Sequence, residues 1–325
     1  MSPRTHNITS QGFANWDADW YVRIAREGYG YTSKGYSSYP FFPLLPAILR
    51  AGRAVGVAAA LTGVVISHVA FLIGLWGVYV LARRRVDETP ARLAVWSLAL
   101  FPSAAVFSTP YPSSMFLAAS TWAFVMVDDG RDVAAAALAM AVALVRPNGV
   151  VVAISLVVAV VVAERRTRTW RRAARRAALI AVPPLLAVIA WMAILRRWTG
   201  DALVFLHAKR AWEEITVLDL LSGRKVKPSA VVHLALALTA IAALVIAARR
   251  LPFSWHVFTG LYLVPAFVLG VVGMGRYTNE CFPLFVAAGV VAADIPSRLR
   301  TAGLGLSAAV LAVFGGTVAA GRVVP

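Results

Sequence analysis

Long apolar runs separated by short polar connections occupy most of this chain. Alanine, valine and leucine dominate residues 58–81, 91–107, 113–127, 132–147, 149–163, 177–195, 230–248, 255–273, 282–295 and 303–320. The longer runs match the ~20 apolar residues that span a hydrocarbon core of ~30 Å. The shorter ones predict tilted, kinked or re-entrant segments. Pro183 and Pro184 predict a kink in the sixth run, because proline removes a backbone donor. The pattern predicts an all-α fold: a polytopic transmembrane helical bundle of about ten segments. Residues 1–57 form a polar and interfacial N-terminal part, and residues 58–325 form the helical domain.

Composition agrees with lipid as the solvent. Sixty per cent of the 325 residues are hydrophobic and 14% are charged, against about 25% charged in soluble domains. The formal charge of +17 would suggest nucleic acid in a soluble protein. Here the basic residues crowd into short connections, where they set topology and meet anionic headgroups, so nucleic acid is not an expected partner. The single cysteine, Cys281, excludes an intramolecular disulfide and a cysteine metal cluster.

The charges also predict sidedness. Arg83–Arg85, the seven arginines between Glu164 and Arg176, Arg249 with Arg250, and Arg298 with Arg300 all fall on one side when crossings are counted. The positive-inside rule makes that side cytoplasmic. Five pieces then fall on the other side: residues 1–57, 108–114, 146–149, 196–228 and 275–280. The loop at 196–228 is itself basic, and its length leaves it weakly constrained by the rule. Nothing hydrophobic precedes the N-terminal polar stretch, so a membrane segment is expected upstream of this chain.

The five outer pieces hold most of the residues capable of chemistry. Asp17 and Asp19 stand among Trp16, Trp20 and Tyr21. Beside a membrane this is either an aromatic belt with solvated carboxylates or a catalytic acid placed at the bilayer surface. Arg146, ahead of a Pro147-Asn148-Gly149 turn, either snorkels to headgroups or binds an anion at bilayer depth. Arg276 belongs to a polar knot with Tyr277, Asn279 and Glu280. In the loop at 196–228, His207, Lys209 and Arg210 are further candidates for substrate or phosphate contact. His68, His233 and His256 read as structural, and no grouping of His, Asp and Glu demands a metal.

The order of motifs carries a resemblance. Asn15-Trp16-Asp17 runs into Ile24-Ala25-Arg26-Glu27-Gly28-Tyr29 and then Phe41-Phe42-Pro43-Leu44-Leu45-Pro46. Residues 108–116, the Arg146-Pro147-Asn148-Gly149 turn and residues 200–212 follow. In that order they resemble the PIG-V family of mannosyltransferases, which have the C-type glycosyltransferase fold. The resemblance spans about residues 13–285. It departs from the family in lacking a first membrane helix, and in having Pro112-Ser113-Ser114 where an acid usually follows the tyrosine.

The resemblance implies transfer of mannose from a polyprenyl-phosphate carrier to a hydroxyl of a glycolipid, glycan or protein, on the outer face of the membrane. The alanine-, arginine- and valine-rich composition suggests a GC-rich bacterium and hence its plasma membrane. Asp17, at the family's Trp-Asp position, is the expected base, with Asp19 orienting the acceptor or holding Asp17's charge state. Arg146, Arg276, Lys209 and Arg210 are the expected phosphate ligands, since arginine's planar fork matches phosphate oxygens. Tyr111, Asn148, His207 and Trp16 complete the expected substrate contacts. No cofactor is expected to be required: an Asp-x-Asp pair can hold a divalent ion, but a single phosphate needs less neutralisation than a diphosphate. Two rival readings stand beside the enzyme, a transporter or flippase and a non-catalytic scaffold of the same fold.

Overall fold

The computed structural model describes residues 16–32, 36–165, 169–211, 215–223, 228–271 and 273–320. Among these the protein is all-helical, with one isolated bridge between Tyr31 and Ser37. The helices are α1 (Asp17–Glu27), α2 (Leu44–Ala54), α3 (Ala59–Arg83), α4 (Glu88–Ala99), α5 (Ser113–Asp128), α6 (Asp132–Val145), α7 (Val150–Arg165), α8 (Trp170–Thr199), α9 (Val204–His207), α10 (Val217–Leu221), α11 (Pro228–Ile246), α12 (Phe253–Leu269), α13 (Met274–Glu280), α14 (Phe282–Ala293) and α15 (Ser297–Ala319).

Every apolar run coincides with a helix, but the helices differ in reach. Four are long and apolar enough to cross a membrane: α3, the Pro147–Arg165 stretch that includes α7, α8 and α15. A fifth crossing arises if α4 and the 3₁₀ turn Pro102–Ser108 count together across their 73° bend. The bend has a local cause. Phe101 precedes Pro102 and is held extended, as the proline ring requires. The remaining apolar helices, α5, α6, α11, α12 and α14, are shorter. At 1.5 Å per residue, the 12 residues of α14 reach only about 18 Å. These features make the chain an integral membrane protein. Exposed Leu72, Leu186, Ile189, Val264, Leu306 and Val313 supply the apolar exterior that lipid requires.

Short α14 is a core helix, with Phe282 to Ala287 all buried. It lies against α4 with no side chain between backbones at Gly289, where a Cβ would overlap the Pro90 carbonyl. Small residues allow this close approach where water supplies no driving force. Two expected irregular stretches are helical instead: α1 replaces the predicted N-terminal loop, and α13 replaces the polar connection at 275–280. Pro183 and Pro184 lie inside α8 without ending it.

Ion pairs gather one set of helix ends. Arg84 and Arg85 at the end of α3 bind Asp129 and Asp128 at the end of α5, each at 2.8 Å. Arg176 in α8 binds Asp132 at the start of α6 and Glu164 at the end of α7, at 2.8 and 2.9 Å. It also donates to the Val127 carbonyl of α5 at 3.1 Å. Arg166 and Arg168 lie outside the described residues. These arginines come from two of the groups that the charge pattern placed on one side. Asp17, Tyr111, Arg146 and Arg276, from four of the other polar pieces, meet in a separate cluster.

Candidate functional site

The site is assembled on α13, a buried helix of seven residues between α12 and α14. Arg276 and Glu280 are one turn apart and share a face. Each reaches across the bundle to a residue far away in sequence.

Arg276 forms an ion pair with Asp17 at the first turn of α1. Its guanidinium also lies over the Tyr111 ring, 5.4 Å from the centroid, where the ring face favours a cation. The Tyr111 hydroxyl in turn accepts the Asp17 backbone N–H at 3.0 Å. Asp17 is therefore held twice, by its backbone and by its carboxylate. Its position follows from Trp16, the one non-glycine residue with positive φ among those described, at φ 60°. Such backbone is costly for a bulky residue, and strain of this kind gathers at functional sites.

Glu280 is fully buried and accepts from Arg146 at 2.9 Å and from the Tyr262 hydroxyl. Arg146 also donates to Ser113 at 3.2 Å and lies 5.6 Å from the Tyr277 ring centroid. It follows the last residue of α6 in extended backbone, ahead of the Pro147–Gly149 turn. Gly149 lets that turn fold tightly onto α6, since a Cβ there would overlap the Val142 carbonyl. The acid that the resemblance leads one to expect after Tyr111 is absent. Arg146 meets Ser113 in that segment and takes its counter-charge from Glu280 instead.

Tyr21, one turn along α1 from Asp17, is buried in the field of Arg146, Asp17, Arg276 and Glu280. Burial, more than these charges, pushes its phenol well above the usual range, so it stays a neutral hydroxyl. Beneath the ion pairs, Phe116, Phe258, Phe282 and Tyr262 form an aromatic floor, with Phe116 and Tyr262 centroids 4.8 Å apart. Three polar groups here have buried atoms with no hydrogen-bond partner: the Asn279 amide, the Arg276 Nε and the Glu280 Oε1.

Of the residues singled out in the sequence, Asp17, Tyr111, Arg146 and Arg276 come together here, with Trp16 directly adjoining. Asn148 sits half-buried in the turn after Arg146. Asp19 is exposed, because two residues along an α-helix is a rotation of about 200°. The loop at 196–228 joins the assembly through apolar contacts: Phe205 against Phe42, Trp198 against Tyr29, and a Val271 N–H bond to the Ile215 carbonyl at 2.8 Å. His207 turns to Asp201 at 2.7 Å, and this bond holds the Asp201 carboxyl below its usual range. Lys209 is exposed. The Arg210 side chain and Trp212 lie outside the described residues.

Tyr262, Ser113 and Tyr21 belong to the site without having been proposed as site residues, and Glu280 had been placed only in the polar knot around Arg276. Glu280 carried a signal in the sequence, an acid directly before an apolar run. Tyr262 and Ser113 carried none, being a tyrosine within one apolar run and a serine at the start of another. Among the described residues, no three His, Cys, Asp or Glu side chains are grouped to hold a metal. Comparison with protein-family models, with curated proteins and with solved structures returns no match.

Proposed function

We propose that this chain is a membrane glycosyltransferase that moves mannose from a polyprenyl-phosphate donor to a hydroxyl of a glycolipid, glycan or protein. The observation that carries the reading is the pairing of Asp17 with Arg276, residues 259 positions apart. Together they bring a carboxylate that can take a proton to a guanidinium that can take a phosphate. Transfer with inversion needs both groups. As the acceptor oxygen bonds to the sugar's anomeric carbon, its proton passes to Asp17. The bond from that carbon to the phosphate oxygen breaks, and the electron pair leaves with polyprenyl phosphate, whose new charge an arginine stabilises. Arg146 adds positive potential to the same region.

The finer reading has the ten apolar runs as membrane segments of a C-type glycosyltransferase, in the plasma membrane of a bacterium. The basic end faces the cytoplasm, following the positive-inside rule, so the site opens outward. The motif order supports a sugar transferase using a polyprenyl-phosphate donor, and mannose is the sugar that the resemblance implies. Carbohydrate transfer is favoured over transport by the meeting of a carboxylate and two arginines from three of the polar pieces.

The test uses protein in lipid nanodiscs, polyprenyl-phosphate mannose labelled in the sugar, and membrane extract as the acceptor source. The reading predicts label in extract lipid, glycan or protein, with an equal amount of polyprenyl phosphate released. It also predicts loss of both in Arg276→Gln. Folded wild-type protein that leaves the donor unconsumed would refute it.

A further inference from the structure

The two arginines of the site differ in how fully they are engaged. Arg146 is bound by Glu280 and Ser113, and Tyr277 lies against its face. Arg276 holds one carboxylate, that of Asp17, and its Nε is buried with no acceptor. The guanidinium is thus paired at Nη1, while its Nε is buried without an acceptor. Asp17 is the more exposed partner, with 29% of its side chain accessible against 15% for Arg276. A ligand approaching from outside meets the carboxylate before the cation.

The backbone of Asp17 is fastened independently of its carboxylate. Its N–H bonds to Tyr111, and Tyr111 also supports the Arg276 guanidinium from below. The carboxylate can therefore leave Arg276 by a side-chain rotation while α1 and the arginine stay in place. The charges add a second argument. Asp17, Glu280, Arg146 and Arg276 sum to zero, so the empty site holds no surplus positive charge for an anion. A phosphate can bind strongly only by taking the place of a carboxylate. Glu280 is wholly buried, with Arg146 and the Tyr262 hydroxyl both donating to its Oε2 and Oε1 unmet, and burial makes it the carboxylate less able to move.

Resting on the glycosyltransferase reading, we propose that the phosphate of the lipid-linked sugar displaces Asp17 from Arg276, so that the base is released only when donor is bound. In the empty enzyme the carboxylate is spent on its ion pair. With donor bound, Arg276 holds the phosphate and the freed carboxylate turns to the acceptor hydroxyl. The displaced carboxylate is then the one negative charge in excess, and the acceptor's proton neutralises it during transfer. After the lipid phosphate departs and Asp17 gives its proton to solvent, the ion pair closes again. Water meeting the empty site finds no free base.

Competition between a carboxylate and a phosphate for one arginine can be read in binding, without turnover. The probe is a ten-carbon prenyl phosphate, titrated calorimetrically into wild-type protein, Asp17→Asn and Asp17→Ser in nanodiscs, each confirmed monodisperse. Removing the competitor should tighten binding at least about fivefold in both variants. The gain should vanish in an Arg276→Gln background, as coupled residues require. Unchanged or weaker binding in folded Asp17 variants, with the wild type still binding, would overturn the exchange and leave the phosphate-donor reading standing. A gain that persists without Arg276 would be the general field of Asp17 and would also overturn it. Inorganic phosphate titrated in parallel should bind far more weakly. Equal binding would mark a free-anion site and overturn the lipid assignment. No binding of the prenyl phosphate by any folded form would remove the inference and the function together.

Discussion

Two arginine–carboxylate pairs lie a helical turn apart on α13, and their surroundings give them different work. In the Arg146–Glu280 pair the side chains are 11% and 0% exposed, and serine, tyrosine and an aromatic face add contacts, although both donors to Glu280 share its Oε2 and leave Oε1 unmet. In the Arg276–Asp17 pair they are 15% and 29% exposed, and part of the arginine fork is unmet. A buried ion pair that loses one member leaves an uncompensated charge, at a cost of about 3–5 kcal/mol. A partly exposed pair contributes closer to ~1 kcal/mol, because water can replace either partner. The deep pair fixes α6, α12 and α13 together, whereas the shallow pair is able to open. The same residue types therefore make a buried brace in one place and, on the proposed function, a working site in the other.

The largest stability effect is expected at Glu280. Glu280→Ala strands the Arg146 charge and should lower unfolding free energy by about 3–5 kcal/mol, read as a lower unfolding temperature and aggregation on size exclusion. Stability equal to wild type would break the contrast at its deeper end. Arg176→Ala at the basic end should cost about 2–3 kcal/mol, because Asp132 and the buried Glu164 lose a shared partner. That result would show that bracing by ion pairs operates at both ends of the bundle. Gly289→Ala should cost about 1–3 kcal/mol through overpacking alone, since α14 must move off Pro90 and Ala94. It separates loss of packing from loss of charge in the same unfolding assay. Tyr262→Phe removes one hydrogen bond to Glu280 and should cost about 1–2 kcal/mol. A cost as large as that of Glu280→Ala would mean that the tyrosine, rather than the arginine, secures the buried acid.

Much of this arrangement is legible in the sequence, because membrane helices are written in composition. Each apolar run coincides with a helix, and Arg84, Arg85 and Arg176, from two of the arginine groups outside the runs, bind the ends of α5, α6 and α7. Asp17, Tyr111, Arg146 and Arg276, all read as polar-piece residues in the sequence, meet in the site. Pairings within the site were not legible. Arg146 and Glu280 are separated by 134 positions, and no local period connects them. Helix α1 was hidden by its residues, since aspartate, tryptophan and tyrosine are mediocre helix formers. It is held instead by buried Tyr21, Ile24 and Ala25 packing with Phe41 and Leu45. The helical reading then separates Asp17 from Asp19, which look equivalent in the sequence. The break at Pro102 was obscured because the flanking residues remain apolar. Pattern thus revealed where the chain is helical, while tertiary contacts decided which charges pair.

The central claim is that the shallow pair carries chemistry and the deep pair carries stability. Its most direct test is sugar transfer per folded molecule by Asp17→Asn, from labelled polyprenyl-phosphate mannose in nanodiscs. Removal of a general base predicts a fall of about 10²–10⁴-fold, with an unfolding temperature within a few degrees of wild type. Transfer within about threefold of wild type from folded Asp17→Asn protein would contradict the account, because the shallow pair would then contribute nothing that the base must supply.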